Sequence, residues 1–164
     1  WEHQALIKAR AVCGDTILTQ RFEEIRKEAL ARPRAKTTLK KEVIRMRKKM
    51  RNELLKREKG IFDIKQDIGG MVDIEFLVQY LVLLNSHKQP ELLKWTDNVR
   101  LIQTLIETGV INQYTAHVLK HAYLIYRAAA HQLSLQEKPA KVSQEKLYRL
   151  RKSVYEICNS VFRQ

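Results

Sequence analysis

Apolar residues recur at intervals of three and four along almost the whole chain, which is the spacing of an α-helix. The pattern predicts helices at about residues 2–13, 16–31, 37–59, 71–87, 97–108, 112–136 and 143–162. Only five Gly and three Pro are present to interrupt them. We therefore expect an all-α fold, a bundle of about six to seven helices that forms a single domain over residues 1–164.

The predicted fourth helix differs from the others because it is apolar on nearly every side. Residues 71–84 carry only Asp73, Glu75 and Gln79 as strongly polar side chains. A helix with this pattern is stable when other helices surround it. We expect a central apolar helix at residues 71–87, inside a bundle that covers residues 71–162.

Short polar residues predict several helix ends. Side chains able to cap a helix start stand before four of the helices: Asp15 or Thr16, Thr96 or Asp97, Asn112, and Ser143. Gly109 is expected to end the fifth helix in the left-handed conformation. The third helix is expected to pack through one apolar stripe: Leu39, Val43, Met46, Met50 and Leu54.

The loop at residues 60–70 alone breaks the helical pattern. In an extended chain successive side chains alternate, so Phe62 and Ile64 are expected on one side and Asp63, Lys65 and Asp67 on the other. Gly69 and Gly70 then allow a tight turn into the central helix. This turn permits two interpretations: N–H groups that receive a phosphate, or a simple turn whose neighbouring acids complement the helix dipole. The residues alone favour the second.

The most distinctive polar residues lie in this loop and in the first turn of the central helix. They are Lys65, Asp67, Gly69, Gly70, Asp73 and Glu75. Nucleotidyltransferases follow a Gly-Gly or Gly-Ser turn with a helix and then two strand-borne carboxylates that hold Mg²⁺. Here only two residues separate Gly70 from Asp73, and residues two apart on a helix do not face each other. We therefore predict no catalytic residue, metal or cofactor in this chain itself.

Basic residues are concentrated in one segment. Of the net charge of +13, residues 32–59 carry +10, from 13 Lys or Arg and three Glu. The candidate docking face of the third helix consists of Arg45, Arg47, Lys48, Lys49 and Arg51. Such a face is either solvated or binds an acidic partner. Duplex nucleic acid is disfavoured because no helix-turn-helix element stands out.

The remaining candidate residues have structural interpretations. His117 and His121, four apart on one helix, lack a third zinc ligand. The other ring residues of this helix are interpreted as packing, core or interface residues: Tyr114, Tyr123, Tyr126 and His131. Cys13 and Cys158 are interpreted as buried thiols in a reducing cytoplasm. No apolar stretch is long enough to cross a membrane, and the start at Trp1 indicates a piece of a longer chain.

Four stretches of the chain match a known signature. They are DIKQDIGGMVDIEFLVQY at residues 63–80, WTDN at 95–98, AYLIYR at 122–127, and WEHQALIKARAVCGD at 1–15. Together they resemble the bacterial glutamine synthetase adenylyltransferase family, whose bifunctional enzymes carry two nucleotidyltransferase modules, each followed by a helical domain. The motif GGMVDIE resembles the copy in the second, adenylylating half, so the chain resembles the second helical domain.

The resemblance implies an activity and partners. The parent enzyme would transfer AMP from ATP, with Mg²⁺, to a tyrosine of glutamine synthetase, using carboxylates that lie upstream of this chain. The helical domain would close over the nucleotide site, dock glutamine synthetase, or receive the PII signalling protein or glutamine. The six loop residues would form an edge that faces the upstream module, so that changes at Lys65 and Asp73 would reduce activity much more than stability.

A stand-alone helical adaptor is the alternative. It would bind nucleic acid or an acidic protein through residues 32–59. An adaptor requires neither the Gly69-Gly70 signature nor a start at Trp1, so these two features distinguish the hypotheses.

Overall fold

The computed structural model describes residues 2–54 and 58–163. Over these residues the helices are α1 (Glu2–Lys8), α2 (Thr16–Leu30), α3 (Lys36–Leu54), α4 (Met71–Asn85), α5 (Asn98–Glu107), α6 (Gln113–Leu135) and α7 (Tyr148–Arg163). A 3-10 helix spans Pro90–Leu93, and two short strands are β1 (Ile61–Asp63) and β2 (Lys141–Ser143). The all-α prediction is confirmed. None of the described helices is both long and apolar enough to cross a membrane.

Helix α4 lies at the centre of the bundle, as its apolar sequence predicts. It packs against α1, α3, α5, α6 and α7. The side chains of Leu77, Val78 and Val82 are fully buried. The helix ends at Asn85, slightly before the predicted end at 87, and the hydroxyl of Ser86 donates a hydrogen bond of 2.7 Å to a carbonyl oxygen at the end of α2.

Three predicted helix-start caps are confirmed. The side chains of Asp15, Asp97 and Asn112 accept hydrogen bonds from backbone N–H groups in the first turns of α2, α5 and α6. Gly109, at φ 71°, follows α5 in the left-handed conformation. Its N–H and that of Val110 donate to carbonyl oxygens of the last turn, which is the Schellman arrangement. Local sequence signals therefore determine these helix ends.

The last helix begins at Tyr148, so the prediction that it begins near residue 143 with Ser143 as its cap is wrong. Residues 141–143 form β2, antiparallel to β1, with Phe62 opposite Val142. The backbone groups of β1 need partners once its side chains are buried, and β2 supplies them. Phe62 is fully buried, as the alternation predicts, and Ile64 is buried with it.

Helices α1 and α3 are shorter than predicted. Helix α1 ends at Lys8 instead of residue 13, and Arg26 of α2 donates hydrogen bonds to the carbonyl oxygens of Leu6 and Ile7 at this end. Residues 58 and 59 are not helical, so the predicted end of the third helix at 59 is wrong. The parts of our predictions that concern residue 1 and residues 55–57 lie outside the described residues.

The predicted apolar stripe of α3 is only partly correct. Leu39 and Val43 are buried, the two methionines after them are half-buried, and Leu54 is 53% exposed. Arg47, one turn after Val43, occupies the buried face instead, because it forms an ion pair with Asp73 of α4. A charged side chain is stable in such a place only with a partner, and apolar spacing alone cannot reveal one.

Candidate functional site

Hydrogen bonds from backbone N–H groups to acidic side chains stabilise the loop before α4. Oδ1 of Asp63 accepts hydrogen bonds of 2.9 Å from the N–H groups of Lys65 and Gln66. Oδ2 of Asp67 accepts one of 2.8 Å from the N–H of Asp63. Bonds of this kind stabilise tight turns. The side chain of Lys65 is exposed and has no hydrogen bond or ion pair within the described part of the chain.

The glycine pair is required by close packing. Gly69 has a φ of +76°, and a Cβ there would lie 2.5 Å from the carbonyl oxygen of Arg151 in α7. A Cβ on Gly70 would lie 2.8 Å from the carbonyl oxygen of Ile64. Neither position accepts a side chain without moving backbone. The geometry therefore supports the interpretation of these glycines as a turn.

The start of α4 has its backbone donors occupied. The N–H groups of Met71 and Val72 donate to loop carbonyl oxygens at 2.8 and 3.2 Å. The N–H of Gly69 donates to Oδ2 of Asp73 at 2.7 Å. These are the groups that a phosphate at the helix start would bind. The phosphate interpretation of the turn is not supported by this geometry.

Asp73 binds two arginines of α3. Its Oδ1 accepts hydrogen bonds from Nε of Arg47 at 2.6 Å and from Nη2 of Arg51 at 3.0 Å, and Asp73 is only 8% exposed. Arg47 also donates to the carbonyl oxygen of Gln66 at 2.8 Å. The guanidinium groups of Arg47 and Arg51 therefore turn inward to Asp73, and this geometry does not support a place for them in the docking face.

The outer surface of α3 keeps the other three predicted docking cations. Arg45, Lys48 and Lys49 are exposed. Only these three remain candidates for contact with an acidic partner.

Glu75 organises a second polar cluster on another side of α4. Its Oε1 accepts hydrogen bonds of 3.1 Å from Nδ2 of Asn98 and from the hydroxyl of Tyr123, and Oδ1 of Asn98 accepts one from Lys8. Burial lowers the pKa of Lys8, while the charge of Glu75 opposes this shift. Burial also raises the pKa of Tyr123, and Glu75 acts in the same direction. We call Lys8, Glu75, Asn98 and Tyr123 the Glu75 cluster; sequence analysis missed it.

The six candidate loop residues do not form one surface. Gly69, Gly70 and Asp73 are buried, Asp67 and Glu75 are half-buried, and Lys65 is exposed. Asp73 and Glu75 bind different neighbours, as their spacing predicts. Both oxygens of Asp73 are engaged, and residues 2–54 and 58–163 contain no group of three His, Cys, Asp or Glu that could hold a metal ion. These acids therefore do not fit a Mg²⁺ site.

The hydroxyl of Tyr126 ties α6 to the loop. It is buried and donates a hydrogen bond of 2.9 Å to the carbonyl oxygen of Gly69. Tyr126→Phe is expected to lower the free energy of unfolding by about 1–3 kcal/mol, because a buried carbonyl loses its partner. Tyr114→Phe, at a position 70% exposed, is the control and should change little. Urea unfolding measures both, and equal stabilities would mean that this bond does not hold the loop.

The other candidates on α6 divide into buried and exposed residues. Tyr123 and Tyr126 are buried, as predicted, whereas Tyr114 is exposed, so its assignment to packing is wrong. The histidines His117, His121 and His131 are all exposed, so His131 is not a core residue. The rings of the first two lie parallel with centroids 6.0 Å apart.

The two cysteines lie in different environments. Cys158 is a buried free thiol, as predicted, and burial raises its pKa, which keeps it neutral. Cys13 is free but exposed, so its assignment to the interior is wrong. It lies between α1 and α2, in a connection that the sequence assigned to the first helix.

Comparison with known proteins gives relatives over nearly the whole chain. Residues 42–143 match the family model described as GlnD PII-uridylyltransferase. A Shewanella loihica protein named bifunctional glutamine synthetase adenylyltransferase/adenylyl-removing enzyme is 49% identical over 145 residues, 88% of this chain. A protein of the same name from Vibrio parahaemolyticus is 46% identical over 162 residues, 99% of this chain. The chain spans only 15% and 17% of the lengths of these two relatives.

Proposed function

This chain belongs to the GlnD PII-uridylyltransferase family, and we propose that it is the helical domain beside the adenylylating module of a bifunctional glutamine synthetase adenylyltransferase/adenylyl-removing enzyme. The identity of 46–49% to enzymes of that name supports the proposal. The longer enzyme would transfer AMP from ATP to a tyrosine of glutamine synthetase in the cytoplasm. The same identity makes the stand-alone adaptor the weaker hypothesis.

The observation that carries this proposal is the convergence of the signature segments around the start of α4. Asp73 fixes α3 to the loop, and Glu75 joins the signature residues Asn98 and Tyr123. This arrangement gives the loop a rigid base. We infer that the outer edge of the loop faces a nucleotidyltransferase module. This edge consists of the exposed Lys65 and the half-buried Asp67, and the buried Gly69, Gly70 and Asp73 stabilise its conformation.

ATP and Mg²⁺ are proposed to bind in the nucleotidyltransferase module of the longer enzyme. The acids of α4 are committed to arginine, amide and hydroxyl partners, whereas Mg²⁺ requires free oxygen ligands. Lys65 would contribute a mobile positive charge near the phosphates. The isolated chain is expected to transfer no AMP to glutamine synthetase above background.

Lys65→Ala in the full-length enzyme tests the inferred edge. We expect adenylylation of glutamine synthetase to fall about tenfold, equivalent to about 1.4 kcal/mol of transition-state stabilisation, while the unfolding temperature stays unchanged because the side chain is exposed. Lys88→Ala, at an exposed position beyond the opposite end of α4, is the matched control. Parental activity in both variants would show that Lys65 does not face the reaction.

Partner docking is proposed for the outer surface of α3. Arg45, Lys48 and Lys49 are exposed cations there, and charges of one sign favour contact with an acidic surface. Glutamine synthetase and the PII signalling protein are the proposed partners, and glutamine is a further proposed ligand. Calorimetric titration of the chain with each of them separately distinguishes these roles.

A further inference from the structure

A groove separates α1 from α3. Both helices pack on α4, but they make at most marginal contact with each other. The groove between them has a volume of about 760 Å³ and is closed at one end by the α2–α3 turn. Leu83 of α4 lies on its floor, about 15 Å along the helix from Asp73. The groove is therefore distinct from the loop before α4.

The groove has an apolar floor and a basic rim. Leu39, Val43 and Met46 of α3 form the floor with Leu83. The positively charged or titratable side chains that line it are His3, Arg34, Arg45 and Lys49, and Glu42 is the one acid among the lining residues. Along α3 the residues Thr38, Glu42, Arg45 and Lys49 follow one another at helical spacing, so they form a continuous wall.

Most of this positive charge is not neutralised by neighbouring acids. Among the described residues, the guanidinium of Arg34 donates only to backbone carbonyl oxygens, including those of Ala29 and Leu30. Arg45 has no acidic partner within 4 Å in the described part of the chain. Lys49 lies 3.9 Å from Glu53 in a solvent-exposed pair, which contributes little. Burial is the largest cause that lowers the pKa of His3, and the positive charge of Arg34 lowers it further. The second effect agrees with a positive potential in this groove.

We propose that this groove is a docking site for an acidic amphipathic helix from a partner protein. Its apolar side chains would cover the floor, and its carboxylates would face Arg34, Arg45 and Lys49 on the rim. The position between two helices on the same central helix matches the helix-in-groove mode of recognition. A free phosphate or nucleotide fits less well, because it would leave Met46, the half-buried residue of the floor, uncovered. The proposal does not depend on the role of Lys65.

The test uses a fluorescent helical peptide of about 15 residues, which spans about 22 Å, with Leu on one face and Glu on the other. Binding to the 164-residue chain is followed by fluorescence anisotropy. The double variant Arg45→Glu with Lys49→Glu is expected to weaken binding about tenfold or more. Lys41→Glu with Lys152→Glu, which makes the same change in net charge at exposed positions outside the groove, is expected to bind within about twofold of the parent.

Two further measurements distinguish binding in the groove from non-specific electrostatic attraction. Thr38→Trp fills the groove without changing the charge and is expected to abolish binding. A peptide with Ser in place of Leu is expected to lose binding as well. All variants change exposed side chains, and circular dichroism confirms that they are folded.

Three results would overturn the proposal. Equal weakening by the two charge-reversal pairs would mean non-specific attraction, and so would unchanged binding of the Ser peptide. Displacement of the peptide by equimolar inorganic phosphate or ATP would mean that the groove is a small-anion site.

Discussion

Asp73→Ala is expected to lower the free energy of unfolding by about 3–5 kcal/mol, the usual cost of removing one partner of a buried ion pair. The guanidinium of Arg47, whose side chain is 8% exposed, would remain in the interior without its anion. The N–H of Gly69 would lose its acceptor at the same time. Urea unfolding followed by circular dichroism measures the difference.

The controls for this variant separate charge from packing. Arg47→Met combined with Asp73→Leu removes both charges and is expected to recover much of the lost stability, because apolar residues often replace a buried ion pair at little cost. Arg51, which also reaches Asp73, is left unchanged throughout. A stability within about 1 kcal/mol of the parent for Asp73→Ala would contradict a buried pair and would mean that Arg47 is solvated.

The buried ion pair of Arg47 and Asp73 also affects how a loss of activity in Asp73→Ala is interpreted. The sequence predicts that Asp73→Ala reduces activity much more than stability, whereas the ion pairs of Asp73 predict a large loss of stability. Lost activity in this variant would therefore not distinguish a residue of the proposed active-site edge from one that only stabilises the fold. At the exposed Lys65, a substitution can lower activity without lowering stability, so this residue tests the proposed edge.

Features encoded in short stretches of sequence were predictable. The all-round apolarity of residues 71–84 predicts the central position of α4, and Asp97 and Gly109 predict both ends of α5. Each depends on residues within one or two helical turns. The positive φ of Gly69 belongs to the same class, since it favours glycine locally, whereas the close approach of Arg151 in α7 does not follow from the local sequence.

Features that depend on contacts between distant segments were not predictable. The strand at 141–143 forms because β1, some 80 residues earlier, needs a partner. The inward turn of Arg47 depends on Asp73, and the role of Glu75 depends on Asn98 and Tyr123. Arg47, Asp73 and Glu75 are polar, so the spacing of apolar residues does not predict that they are removed from water. Their placement depends on partners that lie far away in the sequence.

Arg26 is the clearest residue of this kind. Its guanidinium is fully buried and donates to the carbonyl oxygens of Leu6, Ile7 and Leu93 at 3.0–3.1 Å. It therefore joins the end of α1 and the 3-10 helix to α2. A weak signal exists in the sequence, because Arg26 stands one turn from Leu30, on the side of α2 that packs inward.

Arg26→Met is expected to lower the free energy of unfolding by about 3–5 kcal/mol. Each buried carbonyl left without a donor costs about 1–3 kcal/mol, and costs at neighbouring groups do not add fully. Arg26→Lys should recover little, because one ammonium group cannot reproduce the planar fork that reaches three acceptors. Arg21→Met, on the exposed side of the same helix, is the control and should change stability by less than about 0.5 kcal/mol. Hydrogen exchange adds a local measurement: amides of α1 should lose protection in Arg26→Met but not in Arg21→Met, and equal protection in the two variants would mean that Arg26 does not hold α1 to the bundle.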